Sequence, residues 1–287
     1  MATAKEIKQR IGSIKTTMQI TSAMKMVSAA KLRKAQSAIW QIVPYANKLQ
    51  EVLQSVASGL DEADGNPYST QREIKKVLII AVSSNKGLCG AFNNNVAKKV
   101  MTIIQEKYNE KQVDIITIGK KAGEILKHKG YKIVENHDYI LSKKHLTYED
   151  ASNVAQTIMN YFAQTKYDVV EIVYNRFKNA AVQILSHEQF LPIQISKEEK
   201  NMDYIFEPDR TYIVNHIIPK ALKIQFHKIL LDSLAAEHGA RMTAMHKATD
   251  NAKELLKDFI LQYNKARQTS ITNQILEISS GAEALKK

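Results

Sequence analysis

The sequence predicts a mixed α/β fold, with an antiparallel coiled coil of N- and C-terminal helices and a central α/β domain between them. Three observations lead there. The last quarter of the chain holds a 3.5-residue apolar period. The first sixty residues hold the same period. The stretch between them changes to short apolar runs that alternate with helical ones.

From Asp209 to Lys287, apolar or small residues recur at three- and four-residue spacing. They are Ile217, Ala221, Ile224, Leu231, Ala235, Met242, Met245, Ala252, Leu256, Phe259, Tyr263 and Ala266, with Lys228, His238 and Thr249 filling the same seam. Pro208 and Asp209 are start signals. After Pro219 there is no proline, and Gly239 and Gly281 are the only glycines. At about 1.5 Å per residue such a helix is on the order of 115 Å long. That is wider than one domain of this chain, so the helix must project, and its narrow stripe needs a mate.

The N-terminal segment supplies the mate. Ile7, Ile11, Ile14, Met18 and Thr21 keep the spacing, which resumes at Leu32, Ala35, Ile39, Ile42, Ala46, Leu49, Leu53, Val56 and Leu60. The stretch from Thr21 to Leu32 reads as a four-residue insertion that should locally unwind the supercoil. Pro44 should bend the helix or restart it. At about 84 Å from Thr3 to Ser58, this helix leaves the C-terminal one overhanging by roughly 30 Å, from about Arg267 to Leu285. The overhang carries Ile271, Ile275, Ile278, Ala282 and Leu285, one position out of phase with the seam. Ala29, Ala30 and Ala35 on one helix, and Ala235, Ala236, Gly239 and Ala240 on the other, would allow close approach of the two axes. They equally fit alanine's preference for helix.

Gly59 to Gln71 is a polar, Gly/Pro-bearing linker. Beyond it, strands are expected over 77–84, 114–119, 131–136, 167–177 and 180–190, and helices over 96–107, 120–129 and 148–164. Strands alternating with helices imply a mostly parallel, Rossmann-like sheet covered on both faces. The short KNA turn before the last strand implies an antiparallel hairpin at one edge. Three segments result: an N-terminal coiled-coil helix (1–60), the central domain (72–195) and the C-terminal helix (209–287).

The net charge of +12 is unevenly spread. Residues 1–58 hold nine Lys/Arg against two Asp/Glu, residues 210–287 hold twelve against seven, and the middle holds twenty of each. A one-signed excess confined to the two terminal segments points to an acidic partner surface around those helices. Nucleic acid is disfavoured, because residues 1–58 offer only Trp40 and Tyr45 as stacking aromatics and no docking motif. The longest strongly apolar run, Val77 to Val82, is too short to cross a bilayer. The opening MATAKEIKQRIGS enters helical periodicity at once, as expected of a bacterial cytoplasmic protein. A single cysteine, Cys89, leaves no internal disulfide framework and no cysteine-rich metal site.

The most enzyme-like string is Gly87-Leu88-Cys89-Gly90-Ala91, at a strand-to-helix turn. It matches a nucleophile elbow superficially, but a working thiol needs an oriented imidazole, and His128, His137, His145 and His187 sit in no partner motif. The same turn could cradle a phosphate on backbone N–H groups, although neither glycine-rich phosphate motif is present. His216, His227, His238 and His246 do not share one face at metal-ligand spacing. A coiled-coil scaffold or tether with an α/β head would also satisfy the pattern.

Four blocks narrow the choice: MATAKEIKQRIGSIKTTMQITSAMKMVSAAKLRKAQ, the turn SSNKGLCGAFN, the run EHGARMTAMHKATDNA, and the terminal YNKARQTSITNQILEISSGAEAL. Together, in order and over nearly the full chain, they resemble the gamma-subunit family of bacterial F-type ATP synthases. One departure is Gln274, where the family's I-T-x-E pattern has an acid, while Glu277, Gly281 and Ala282 are retained. The resemblance implies a central rotor shaft with no catalytic residue, cofactor or metal of its own. Its partners would be a ring of three alpha and three beta subunits, the epsilon subunit and the c-ring, at the cytoplasmic face of the plasma membrane. It further implies shaft contacts at Met24, Lys25, Lys31 and Arg33, and at Arg267, Gln268, Thr272 and Glu277. A c-ring foot is implied at Tyr204, Phe206 and Glu207.

Overall fold

The computed structural model describes residues 3–57, 67–142, 146–193 and 210–284. Their elements run α1 (Ala4–Ala57), β1 (Lys76–Val82), α2 (Phe92–Lys107), β2 (Gln112–Ile118), α3 (Lys120–His128), β3 (Ile133–Asn136), α4 (Tyr139–Ser142), α5 (Tyr148–Ala163), β4 (Val169–Phe177), β5 (Gln183–Leu191) and α6 (Arg210–Ala284). Each expected strand and helix is present, with ends moved by a few residues. The short α4 and the first turn of α2 are additions. The start signals at Pro208 and Asp209 lie outside the described residues.

The chain divides into two compact units, Ser28–Arg241 and Met1–Val27 with Met242–Lys287. In the larger unit, the sheet order is β3-β2-β1-β4-β5. β1 pairs in parallel with β2 and β4, β2 pairs in parallel with β3, and β5 returns antiparallel to β4. The hairpin turn is held by the Asn179 side chain, whose Oδ1 accepts from the N–H groups of Ala181 (3.0 Å) and Val182 (2.8 Å). β1, KVLIIAV, is buried at every position after its first residue, as a strand covered on both faces must be. On one face Leu78, Ile80, Ile116 and Ile172 pack with α5 (Ile158, Phe162) and the first part of α6 (Leu222, Phe226, Leu230). On the other, Val77, Ile79, Ile115 and Val173 pack with α2 (Val96, Val100) and α3 (Ala122, Leu126).

One charge sits inside this core. Glu171 on β4 is fully buried. It accepts hydrogen bonds from Lys107 Nζ, from the Tyr108 hydroxyl (2.7 Å) and from His187 Nε2 (2.6 Å). Burial by itself would raise its carboxyl pKa; the bonds from His187, Lys107 and Tyr108 outweigh that and bring it down to about 2. Asp232 on α6 has the opposite environment. It lines a cavity of about 280 Å³ with Tyr174, Arg176, Glu188 and Lys228. Burial raises its carboxyl to about 6, against the pull of Lys228 and Arg176.

Two expectations about α1 are settled by its course. Of the two effects expected of Pro44, a restart is absent: the helix runs through it without a break. The bond that proline forfeits belongs to the carbonyl of Trp40, a residue 74% exposed, where water can replace the donor. Nor is there an insertion between Thr21 and Leu32. Lys25 is half-buried and Ser28 is buried, so the seam passes 21, 25, 28 and 32 in unbroken four-three steps. The α1 N-terminus is closed by a capping box: Glu6 N donates to Thr3 Oγ1 (3.3 Å) and Thr3 N donates to Glu6 Oε2 (3.1 Å).

Three of the four small residues of α6, Ala236, Gly239 and Ala240, have a partner other than α1. Ala236 and Ala240 cluster with Cys89, Phe92 and Phe177 of the α/β domain. A side chain at Gly239 would stand 3.3 Å from the carbonyl oxygen of Ala180. The close approach is therefore made to the β1–α2 loop and the β4–β5 hairpin.

Candidate subunit interface

The smaller unit consists of two helix segments, and its physics follows from how little it can bury. On α1, Ile7 is buried and Ile11, Ile14 and Met18 are half-buried. On α6, Met245 and Ala252 are buried and Leu256, Phe259, Tyr263 and Ala266 are half-buried. These are the positions of the 3.5-residue seam. Thr21 and Thr249 meet inside it at 2.8 Å, and Thr249 donates to the carbonyl of Met245 at 2.8 Å. Thr21 Oγ1 likewise reaches the carbonyl of Met18 at 3.1 Å, so either hydroxyl can donate across the seam while the other donates to its own helix. A buried polar pair whose two hydroxyls meet in this alignment favours one antiparallel register. Lys25 Nζ lies 3.3 Å from His246 Nδ1, in the same sense.

Past Ala266 the seam stops but the helix does not. Every residue whose side chain is described from Arg267 to Ala282 is exposed. These include Ile271, Ile275 (61% exposed), Leu276 and Ile278 (73% exposed). Ile20, Met26, Val27, Ile260 and Leu261 add further exposed apolar surface on the same unit. Burying one such side chain is worth roughly 1.5–3 kcal/mol. A helix carrying this many of them uncovered is built to meet another surface. From Gln268 to Ala282 the only charged residue is Glu277, whereas residues 1–27 carry five Lys/Arg against one acid. An apolar, charge-poor end thus adjoins a basic body.

The structure places the implied contact residues in separate groups. Met24 and Lys25 are half-buried on α1, with Lys25 at the level of His246. Arg267, Gln268, Thr272 and Glu277 are exposed on α6, beginning about 30 Å further along that helix. Gln268 and Thr272 share a face, joined by the bond from Thr272 Oγ1 to Gln268 O (3.0 Å). Lys31 and Arg33 are exposed on the part of α1 that belongs to the larger unit. Tyr204, Phe206 and Glu207 lie outside the described residues. The threonine pair was visible in the sequence only as seam spacing.

The strand-to-helix turn after β1 is committed to structure. Cys89 is 2% exposed, and burial pushes its thiol pKa up against the lowering hydrogen bond with Ser84. Asn93 Nδ2 donates to its sulfur at 3.2 Å, so an amide occupies the position an imidazole base would need. At the start of α3, after β2, the backbone N–H groups are used to tie that helix to the β1–α2 loop. Lys120 N donates to Asn85 Oδ1 (3.2 Å), Lys121 N to Ser84 O (3.1 Å) and Ala122 N to Ser83 Oγ (3.1 Å). The turn presents carbonyls rather than amides to α6. Arg241 donates from Nη2 to Lys86 O (2.9 Å) and to Gly87 O (3.3 Å), and from Nε to Gly87 O (3.3 Å). Among the described residues, no group of three or more His, Cys, Asp or Glu is placed to hold a metal ion. No helix of these residues is long and apolar enough to cross a membrane.

The sequence matches the ATP synthase family over residues 3–285. It is 56% identical to the ATP synthase gamma chain of Christiangramia forsetii over 287 residues, covering 99% of both chains. It is 54% identical to that of Flavobacterium johnsoniae over 288 residues, again covering 99% of each. Among solved structures, the fold is similar to a chain of the Euglena gracilis mitochondrial ATP synthase OSCP/F1/c-ring assembly. The TM-score there is 0.68 at 22% identity, over 98% of this chain and 94% of that one. A chain of the Tetrahymena thermophila mitochondrial ATP synthase central stalk and c-ring gives 0.59 at 24% identity, over 80% and 99%.

Proposed function

We propose, from the premise that this chain belongs to the ATP synthase gamma-chain family, that it is the central rotor shaft of a bacterial F-type ATP synthase. It couples ion-driven rotation of a c-ring to ATP synthesis or hydrolysis in a surrounding ring of three alpha and three beta subunits. The observation that carries the reading is the end of α6, a helix that outlasts its seam and keeps every described side chain from Arg267 to Ala282 exposed. Such an end has no use in a self-contained fold, and an apolar collar inside a ring would cover it.

Mechanically, a pair of unlike helices has no three-fold symmetry. Each of three equivalent neighbours therefore meets a different face, and differential contact energy biases each towards a different conformation. Turning the pair passes every neighbour through the set of states in order. Lys25, Lys31 and Arg33 supply basic contacts to acidic beta-subunit surfaces, Met24 supplies an apolar one, and Arg267, Gln268, Thr272 and Glu277 supply contacts around the tip. The central domain (72–195) serves as the foot towards epsilon and the c-ring, with segments 1–60 and 209–287 as the shaft. The chain itself breaks no bond, and it works as a peripheral protein at the cytoplasmic face of the membrane.

Co-expression tests this directly. The chain should co-purify with alpha and beta in a roughly one-to-three-to-three ratio, as one asymmetric axle in a closed ring requires. It should also stimulate ATP hydrolysis by the alpha–beta mixture. Ile275→Asp with Ile278→Asp should weaken that stimulation while the chain stays folded. A clean monomer without effect on hydrolysis would overturn the rotor reading in favour of a scaffold.

A further inference from the structure

We propose that Arg241 is the grip by which the α/β domain holds α6 against turning or sliding within it, so that the two move as one body. The inference rests on the rotor reading above and adds to it the joint through which force enters the shaft helix.

The geometry is that of a clasp. The Arg241 guanidinium is buried and uses both ends of its fork. Nε and Nη2 bind the consecutive carbonyls of Lys86 and Gly87 on the β1–α2 loop, while Nη1 donates to Glu237 Oε1 at 2.6 Å one turn back on α6. His238 Nδ1 lies 3.4 Å from the same Nη1. The loop it holds is anchored in its turn. Asn85 Nδ2 donates to Asp138 O and to Ser142 Oγ, both at 2.9 Å, and Cys89 and Phe92 pack under Ala236 and Ala240. On another side of the same helical turn, Gly239 lies against Ala180 and Phe177 of the β4–β5 hairpin.

Apolar packing resists separation of two surfaces but resists sliding and rotation weakly, because its energy is non-directional. Hydrogen bonds fix direction, and a planar guanidinium across two carbonyls fixes both height and azimuth of the helix. The contrast is visible along α6 itself. At His227 both ring nitrogens are buried without a hydrogen-bond partner, and the neighbouring contact is the edge of the Tyr148 ring at 5.8 Å between centroids. That stretch is held by shape, whereas the turn at Arg241 is held by aligned donors.

The test uses complete synthase in sealed membrane vesicles, with ATP hydrolysis and ATP-driven ion uptake measured on the same preparation. Arg241→Lys keeps a cation beside Glu237 but offers one nitrogen where two carbonyls need a fork. Arg241→Met combined with Glu237→Gln removes clasp and counter-charge together. For both, hydrolysis should stay within about twofold of wild type while ions moved per ATP fall at least about threefold against an imposed gradient.

A covalent substitute supplies the readout that a purely structural role would not move. In a Cys89→Ser background, Ala180→Cys with Gly239→Cys places two thiols across the close approach of α6 to the hairpin, where a Cβ at 239 would stand 3.4 Å from Cα of Ala180. Oxidation should restore the ion-to-ATP ratio of the Arg241 variants, and reduction should abolish it again. A wild-type ratio in both variants overturns the proposal. So does a loss of assembly or coupling that the cross-link does not restore, which assigns Arg241 to folding alone. Failure of the rotor reading would look different, because the wild-type chain itself would then not stimulate hydrolysis.

Discussion

Replacing Glu171 by glutamine should cost the fold about 3 kcal/mol at pH 7, and that cost should fade in acid. The magnitude follows from its carboxyl pKa, lowered from the ordinary 4.5 to about 2, with each tenfold change in proton affinity worth about 1.4 kcal/mol. Little discount for solvent applies, since the Glu171 side chain is 1% exposed, although Lys107 is half in water and loses less. The sign is that of a depressed acid: the stabilisation is fully present above the unfolded value near 4.5 and is lost as pH falls through about 2. Glutamine does not titrate, so the gap between wild-type and variant stabilities should shrink from about 3 kcal/mol at pH 7 to about 2 kcal/mol at pH 3.5. Urea unfolding of the full chain at a series of pH values measures this gap, and other titrating groups cancel in the difference. A gap below about 0.5 kcal/mol at pH 7 would place Glu171 among ordinary surface changes. A gap that does not move between pH 7 and 3.5 would mean its loss is one of shape rather than charge.

Asp232→Asn should act in the other direction. Its carboxyl is raised from 3.8 to about 6, so the burden of ionising it grows as pH rises between those values and levels off above about 6. The variant should gain about 3 kcal/mol at pH 7 and only about 0.5 kcal/mol at pH 4, by the same titration. Gly119→Ala should cost at least about 3 kcal/mol in thermal unfolding. A Cβ there meets the carbonyl oxygen of Ser83 at 2.3 Å, at a φ of +97° that alanine resists. Cys89→Ser should cost about 1 kcal/mol in stability and leave stimulation of hydrolysis intact, because its sulfur is a buried packing atom. Loss of activity in a well-folded Cys89→Ser chain would reopen a role for the thiol.

What could be read in advance was period, and what could not was partnership. The seam from Met245 to Ala266 and from Ile7 to Met18 emerged from spacing because burial in a two-helix contact repeats with the helix itself. The break assigned after Thr21 was a misreading of chemistry for geometry. Lys25 and Ser28 are polar, yet a lysine stem can lie along a seam with its amine outside, and a serine is small enough to be enclosed. Asn93, Asn94 and Asn95 precede the expected helix start at 96, but they form the first turn of α2, where Asn93 Oδ1 accepts the N–H of Ser84 at 3.0 Å. Ala236, Gly239 and Ala240 were legible as a place of close approach, though not as one facing a hairpin and a loop far away in the chain. Arg241 and Glu237 stood within a block notable only for its resemblance, because nothing local reveals which carbonyls a guanidinium will find. The unpaired end of α6 was legible from the lengths of the two helices, a matter of counting residues.

The unbroken phase of the two terminal helices also limits how such a chain can change. One residue inserted into either helix turns all that follows by about 100° and carries it 1.5 Å along the axis. Every later seam position would then face away from its mate. A tolerated insertion must be about seven residues, two full turns of the helix, and matched on the opposite helix wherever both are paired. Loops obey no such rule, nor does the end of α6 beyond Ala266, which has no mate to fall out of step with. Length differences among related chains should therefore collect in the connections and at that free end, while the paired helices keep their residue count as a ruler keeps its marks.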